Sequence, residues 1–274
     1  MRIQNHILDG VDYIEAASHG GIITPKFLVM HYTAGWTAKG AIDLFKSGSR
    51  KTSAHLILER DGTLTQMLPF NVKGHHVGTS YWRGYAGLNS HSIGIEIVNY
   101  GDAPLWESEQ VVDRRGRPVA EEYSNPGDWI ISDHQLYGGP RRRWQKFTQV
   151  QFDILDILTP LLVETYNLRE IVGHEEVATP PGRKPDPGPA FPLSYYKQFA
   201  DYANADSEGR YVVTTDDLNC RGGPGTNFAI LRKFKSGDAV KGIKSNGDGW
   251  VLVEWNDTNI RKRGWVYESY LIRA

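Results

Sequence analysis

Apolar positions along the first two thirds of the chain switch between continuous runs, period-two alternation and helical spacing. "KFLVMHYTAG" (26–35) is an apolar run ending in small residues, which predicts a buried strand opening into a loop. "WTAKGAIDLFKSG" (36–48) sets Trp36, Ala41, Leu44 and Phe45 at helical spacing before a Ser-Gly stop. "SAHLILERDGTLTQMLP" (53–69) reads as two alternating strands about "RDG", a hairpin signal. "HSIGIEIVNY" (91–100) alternates Ile93, Ile95 and Ile97 against Gly94, Glu96 and Val98. That is a central strand with Glu96 on the face opposite the isoleucines.

"FTQVQFDILDILTPLLVETYNL" (147–168) places Phe147, Val150, Ile154, Leu158, Leu161 and Leu162 on one stripe, a long helix kinked or interrupted at Pro160. "REIVGH" (169–174) is the next short strand. The order β-α-β-β-β-α-β predicts an α/β (α+β) fold, a central mixed β-sheet flanked by helices. Residues 101–145 lose the periodicity and read as a long insertion loop. Their arginine clusters, in "DRRGRP" and "GGPRRRW", are solvated charge by default. "ADYANADSEG" is a small, polar stretch, expected to be a linker over 200–209. After it come short strands, "YVVTT", "DAVKGIKS", "GWVLVEW" and "RGWVYESYLI", separated by the turn signals "GGPGTN" and "NGDG". They predict a small antiparallel barrel over 210–274, set apart from a domain over 1–199.

A length of 274 residues suits this division into one medium and one small domain. The net charge of −1 hides an asymmetry: residues 1–209 carry 20 basic and 25 acidic side chains, residues 210–274 carry 11 and 7. The mildly basic tail suits an anionic surface such as a cell wall or nucleic acid, or simple solvation. Cys220 is the only cysteine, so no intrachain disulfide forms, and its apolar neighbours make it a buried thiol. "MRIQNHILDGVDYIEAASHG" has no apolar h-region, so no secretory signal is expected, and no apolar run is long enough to cross a bilayer.

The chemistry concentrates around "GHEEVATPPGRKPDPGPAF" (173–191). Five prolines and three glycines exclude a helix or a central strand and stiffen a loop that carries Lys184 and Asp186. Among nine histidines, His31 and His174 fall at the ends of predicted strands, where sheets of this kind place their sites. With Asp186 they make two imidazoles and one carboxylate, a set that zinc accepts with a fourth position left for water. Spacing alone does not separate this set from strand-end histidines hydrogen-bonded in a core, since there is no HExxH and no CxxC pair.

The segments "FLVMHYTAG", "SAHLILERDGTLTQM", "HHVGTSYWRGYAGLNSHSIGIEIVN" and "VGHEEVATPPGRKPDPGPAF" together resemble the zinc-dependent N-acetylmuramoyl-L-alanine amidases. That family is related to the phage lysozyme-type amidases and the peptidoglycan recognition proteins. The resemblance runs over roughly residues 25–195, apart from 101–145. It implies Zn2+ held by His31, His174 and Asp186, with Glu96 as the acidic catalytic residue and Lys184 as an oxyanion partner. Many relatives read Trp-His-Ala-Gly where this chain reads "HHVG", so His76 matches the usual histidine and His75 replaces the aromatic residue. The resemblance also implies substrate contacts at His76, Trp82 and Asn89, and His55 in "SAHLI" reads as structural.

The tail, through "LNCRGGPGTNF" and the closing "GWVYESYL", is similar to bacterial SH3-like domains, which implies binding to wall peptides or packing on the enzyme. Trp250, Trp255, Trp265 and Tyr267 are candidates for a groove or for barrel core. The implied partners are peptidoglycan and cell-wall peptides, with no nucleic acid and no membrane. Three settings fit a chain of this kind: a lysin released at lysis, a cytoplasmic recycler of muropeptides, or an exported effector. A non-catalytic peptidoglycan-binding protein on the same fold is the rival expectation.

Overall fold

The computed structural model describes residues 1–105, 111–113, 115–203, 209–245, 248–257 and 260–274. They divide into two compact units, Met1–Lys197 and Gln198–Ala274. The expected linker is only partly covered: residues 204–208 lie outside the described residues, and 200–203 belong to a helix, Leu193–Ala203.

The first unit is built on a six-stranded mixed sheet. Its strands are β1 (Asp12–Tyr13), β2 (Phe27–Tyr32), β3 (Leu56–Leu58), β4 (Leu64–Gln66), β5 (Ser92–Ile97) and, later in the chain, β9 (Glu170–Gly173). The spatial order is β9-β2-β5-β3-β4-β1. Strands β9, β2, β5 and β3 run parallel, and β3 turns back into β4 as the hairpin expected at "RDG". The continuous apolar run of β2 is buried at every position, as a strand covered on both faces must be.

Helix α1 (Ala38–Ser47) stops at Gly48, which adopts the left-handed conformation with φ 61°. Its first N–H is taken by the Glu59 carboxylate, Ala38 N donating to Oε2 at 2.6 Å, since Thr37 makes no side-chain cap. Helix α2 (Gln149–Tyr166) opens with a capping box between Thr148 and Gln151 and runs on through Pro160. Its buried stripe is Gln151, Leu155, Leu158, Thr159, Leu162 and Val163, one position away from the expected Val150–Ile154 line, and Val150 is exposed. The reason is polar. Gln151 turns inward, its carboxamide oxygen accepting from Thr148 N and its amide donating to Val98 O at 2.9 Å, so the helix is rotated about that anchor.

Residues 101–145 are not a structureless excursion. Strands β6 (Asp102–Ala103), β7 (Trp129–His134) and β8 (Gly138–Gln145) form a separate antiparallel sheet in the order β6-β8-β7. Its Trp129 and Ala103 share a small core with Val111, which Trp36 and Tyr100 join.

In the second unit seven strands form one antiparallel sheet. They are β10 (Gly209–Val213), β11 (Leu218–Arg221), β12 (Ile230–Phe234), β13 (Ala239–Ser245), β14 (Trp250–Asp257), β15 (Ile260–Tyr267) and β16 (Leu271–Arg273). Their order is β12-β11-β15-β14-β13-β10-β16. Cys220 and Trp255 lie in its core and Trp265 is buried, whereas Tyr267 is exposed. Burial holds the Cys220 thiol well above its ordinary pKa, so it stays an inert thiol.

Candidate active site

The parallel strands bring three carboxyl ends to one edge of the sheet. His31 is the fifth residue of β2, Glu96 pairs with it in register on β5, and Gly173 at the end of β9 pairs with Met30. His174 follows immediately as the first residue of a single helical turn, α3 (His174–Val177), rather than as the end of a strand. On β2, Phe27 and Val29 share a core layer with Val172 of β9, and strand alternation makes His31 the next side chain on that face.

Three ligand atoms converge there. His31 Nδ1 and His174 Nδ1 lie 3.0 Å apart, and Asp186 Oδ2 lies 3.1 Å and 3.0 Å from them. All three side chains are buried. Donors placed tetrahedrally about 2.0–2.2 Å from zinc are separated by roughly 3.3 Å, so this spacing fits a shared ion. The outer ring nitrogens are already committed. His174 Nε2 donates to Val77 O at 3.0 Å, and His31 Nε2 donates to His76 Nδ1 at 2.9 Å. Those bonds fix the tautomers that leave both Nδ1 lone pairs facing the centre. His76 in turn reaches Ser92 Oγ, which donates to Leu88 O at 2.7 Å.

The electrostatics agree with a ligand role. Burial, followed by the neighbouring His174, lowers the His31 pKa to about 4, so the ring is neutral. Burial raises the Asp186 pKa, but the charge and hydrogen bond of His174 and the hydrogen bond of His31 outweigh it and hold the carboxyl ionised. Glu96 behaves oppositely. Burial, then the Asp186 charge, push its pKa up to about 8, against the pull of Lys184.

His31, His76, Glu96, His174, Lys184 and Asp186 all line one cleft of about 760 Å³, with Trp36, Arg50 and Arg183 along its walls. Trp82 and Asn89, expected at the substrate groove, do not line it. The Trp82 indole donates to Glu170 Oε2 at 2.6 Å, and Asn89 Oδ1 accepts from the backbone N–H groups of His76 and Val77 at 3.0 Å each. His76 is buried against His31, and His55 is held structurally between Gly94 N and Val72 O. Gly94 lies under the His76 ring: a Cβ there would come within 2.4 Å of His76 Nδ1.

The cleft wall at Trp36 has no signal in the local sequence. Trp36 is stacked between Tyr100 and Tyr123, with ring centroids at 4.1 Å and 4.6 Å. Tyr123 falls in the segment without periodicity, so no local pattern joins it to Trp36.

Fold and site together define a class, an α+β protein with three buried donors that could hold a metal ion at the carboxyl edge of its sheet. The chain belongs to the N-acetylmuramoyl-L-alanine amidase family, whose pattern matches residues 23–189, and a bacterial SH3 domain matches residues 216–272. It is similar to the 1,6-anhydro-N-acetylmuramyl-L-alanine amidase AmpD of Escherichia coli (strain K12), 26% identical over 149 residues, covering 54% of this chain and 57% of that protein. It is also similar to the N-acetylmuramoyl-L-alanine amidase AmiD of the same organism, 27% identical over 182 residues, covering 63% of this chain and 52% of that protein. The chain thus spans about half the length of these curated relatives. The crystal structure of a selenomethionine AmpD derivative shares the fold, with a TM-score of 0.50 at 21% identity, covering 73% of this chain and 99% of that one.

Proposed function

We propose that this chain is a peptidoglycan amidase that hydrolyses the bond between the lactyl group of N-acetylmuramic acid and L-alanine, at a zinc site made by His31, His174 and Asp186. The observation that carries the reading is the meeting of those three buried donor atoms about 3 Å apart, in an open cleft beside Glu96. Zinc held by those residues would supply a Lewis acid and lower the pKa of a bound water to about 7.

The protein's own groups do the rest. The Glu96 side chain makes no hydrogen bond among the described residues, and a divalent cation in the adjacent site would draw its raised pKa back down, leaving a carboxylate to take a proton from the attacking water. It then returns that proton to the leaving nitrogen of L-alanine. Lys184 reaches the same cleft as a cation, suited to the oxyanion of the tetrahedral intermediate. His76 and Val77 hold the two imidazoles by their outer nitrogens, so neither ring must reorient during turnover.

The second unit is read as a module for wall peptides. It carries an open groove of about 710 Å³ whose wall includes Trp250, Tyr267 and Tyr270. This favours intact wall as substrate. A second reading, hydrolysis of soluble anhydro-muropeptides, draws support from the relatives whose names specify that activity. The test is release of label from purified sacculi and from soluble muropeptides, before and after chelation. Turnover that survives complete metal removal sinks the zinc reading, and tight binding without turnover points to a recognition protein instead.

A further inference from the structure

We infer that His134, on the separate sheet of residues 101–145, is a positioning residue for the metal site. It acts by locking the Lys184–Asp186 loop through Glu175. This rests on the reading of His31, His174 and Asp186 as metal ligands.

Glu175 follows the ligand His174 directly and is buried, with 2% of its side chain exposed. It fastens the ligand loop at two points. Its backbone N–H donates to Asp186 O at 2.7 Å, and its Oε2 accepts from Gly188 N at 3.0 Å. The two bonds hold the backbone of Asp186 and of the residue two positions after it. A buried carboxylate needs further partners to offset the loss of water. The partner comes from outside the main sheet. His134 Nε2 lies 3.0 Å from Glu175 Oε2 and 3.2 Å from Pro185 O, the carbonyl between Lys184 and Asp186.

The imidazole is itself held to one orientation. Its Nδ1 accepts from the backbone N–H groups of Leu136 and Tyr137 at 3.3 Å each, which makes Nε2 the donor. Tyr137 stacks on the ring at 5.0 Å and its hydroxyl donates to Glu175 O. Trp144 of β8, its ring centroid 5.7 Å from that of His134, packs against the same loop further along. Gly188 there has φ +72°, and a Cβ would come within 2.8 Å of the indole. One small sheet therefore contacts the residues on both sides of the aspartate ligand. A loop rich in proline is stiff within itself but not thereby fixed in space, and these contacts are what place it.

The experiment compares zinc affinity, by competition with a chelating dye, in the full chain and in three variants. His134→Phe keeps a ring and removes the donor, His134→Gln restores a donor near the Nε2 position, and Glu175→Gln removes the anionic acceptor. Loss of an outer hydrogen-bond partner of a metal site weakens affinity by about 10–100-fold. That loss is expected for His134→Phe and Glu175→Gln, with most of it recovered in His134→Gln. At saturating zinc, kcat and kcat/KM should fall together with KM unchanged, because the loop is misplaced and substrate binding is not. The double variant His134→Phe/Glu175→Gln should be no weaker than Glu175→Gln alone. Native affinity in His134→Phe overturns the inference. If that variant does not fold, native affinity in Glu175→Gln overturns it equally. A native chain that binds no zinc sinks the metal reading itself, a separate result.

Discussion

His31 and Glu96 sit opposite one another in register on adjacent parallel strands, so the imidazole proposed as a metal ligand and the carboxyl proposed as the base share one face of the sheet by backbone pairing alone. No loop has to close to bring them together. Replacing Glu96 with Gln should therefore leave the fold and zinc content intact while removing the base. Turnover is expected to fall by about 10²–10⁴-fold, the range general acid–base catalysis supplies. Zinc lost along with activity would instead make Glu96 a ligand or a structural support.

The same carboxyl makes a pH prediction for chelated protein. Glu96 has its pKa raised from 4.5 to about 8 by burial, then by Asp186. Between those values the folded state holds a proton that the unfolded state has released, so this contribution to stability falls as pH rises. Buried His31 and His55 act in the opposite direction, with pKa values lowered from 6.5 to about 4 by burial, and buried His76 is also lowered by burial. Below about pH 6.5 the unfolded state binds more protons at these rings, so stability rises with pH until they are neutral in both states. Melting temperature should climb toward pH 6.5 and decline above it, as far as about pH 8. Glu96→Gln should flatten the decline by its share. An unchanged slope above pH 6.5 in that variant would refute the assignment.

Much of this was legible along the chain, and the misses have physical causes. Apolar runs and alternation located the main sheet because its strands are buried on one or both faces, and β2 and β5 carry that signal without interruption. The stripe of α2 was displaced because a polar residue, Gln151, is its inward anchor, which hydrophobic periodicity cannot register. The sheet in 101–145 was missed because β7 alternates buried and exposed positions weakly and β8 begins "GGPRRR", which reads as turn and charge. His134 and Glu175 are separated by 41 positions and meet only through the placement of that sheet.

Lys184 is predicted to act on the transition state and not on the metal. Lys184→Met removes the charge and keeps much of the stem. It should lower kcat by about 10²–10³-fold, the effect of losing one oxyanion donor, with zinc affinity within experimental error of the native chain. A comparable loss of zinc binding would show that the lysine's role is to hold the loop.

Gly94 tests the support beneath the imidazoles. An alanine Cβ at this position would lie 2.4 Å from His76 Nδ1, and backbone on both neighbouring strands limits any retreat. Overpacking of this kind costs about 1–3 kcal/mol. Since the displaced ring is the one that orients His31, Gly94→Ala should lower both the melting temperature and zinc affinity. A variant that loses stability but keeps native zinc affinity would uncouple His76 from the site.

The second unit gives a prediction that separates targeting from chemistry. Trp250 is half-buried and Tyr267 exposed, and both line the groove of that unit, whereas Trp255 and Trp265 are buried. Replacing Trp250 and Tyr267 together by Ala removes aromatic surface from the groove without touching Trp255 or Trp265. If the groove holds wall peptide, binding to intact sacculi should weaken, with the zinc content of the first unit unchanged. Hydrolysis of a soluble muropeptide should stay at the native rate, because tethering raises only the local concentration of a polymeric substrate. Equal sacculus binding by the double variant and the native chain would leave this unit no part in reaching the wall through that groove.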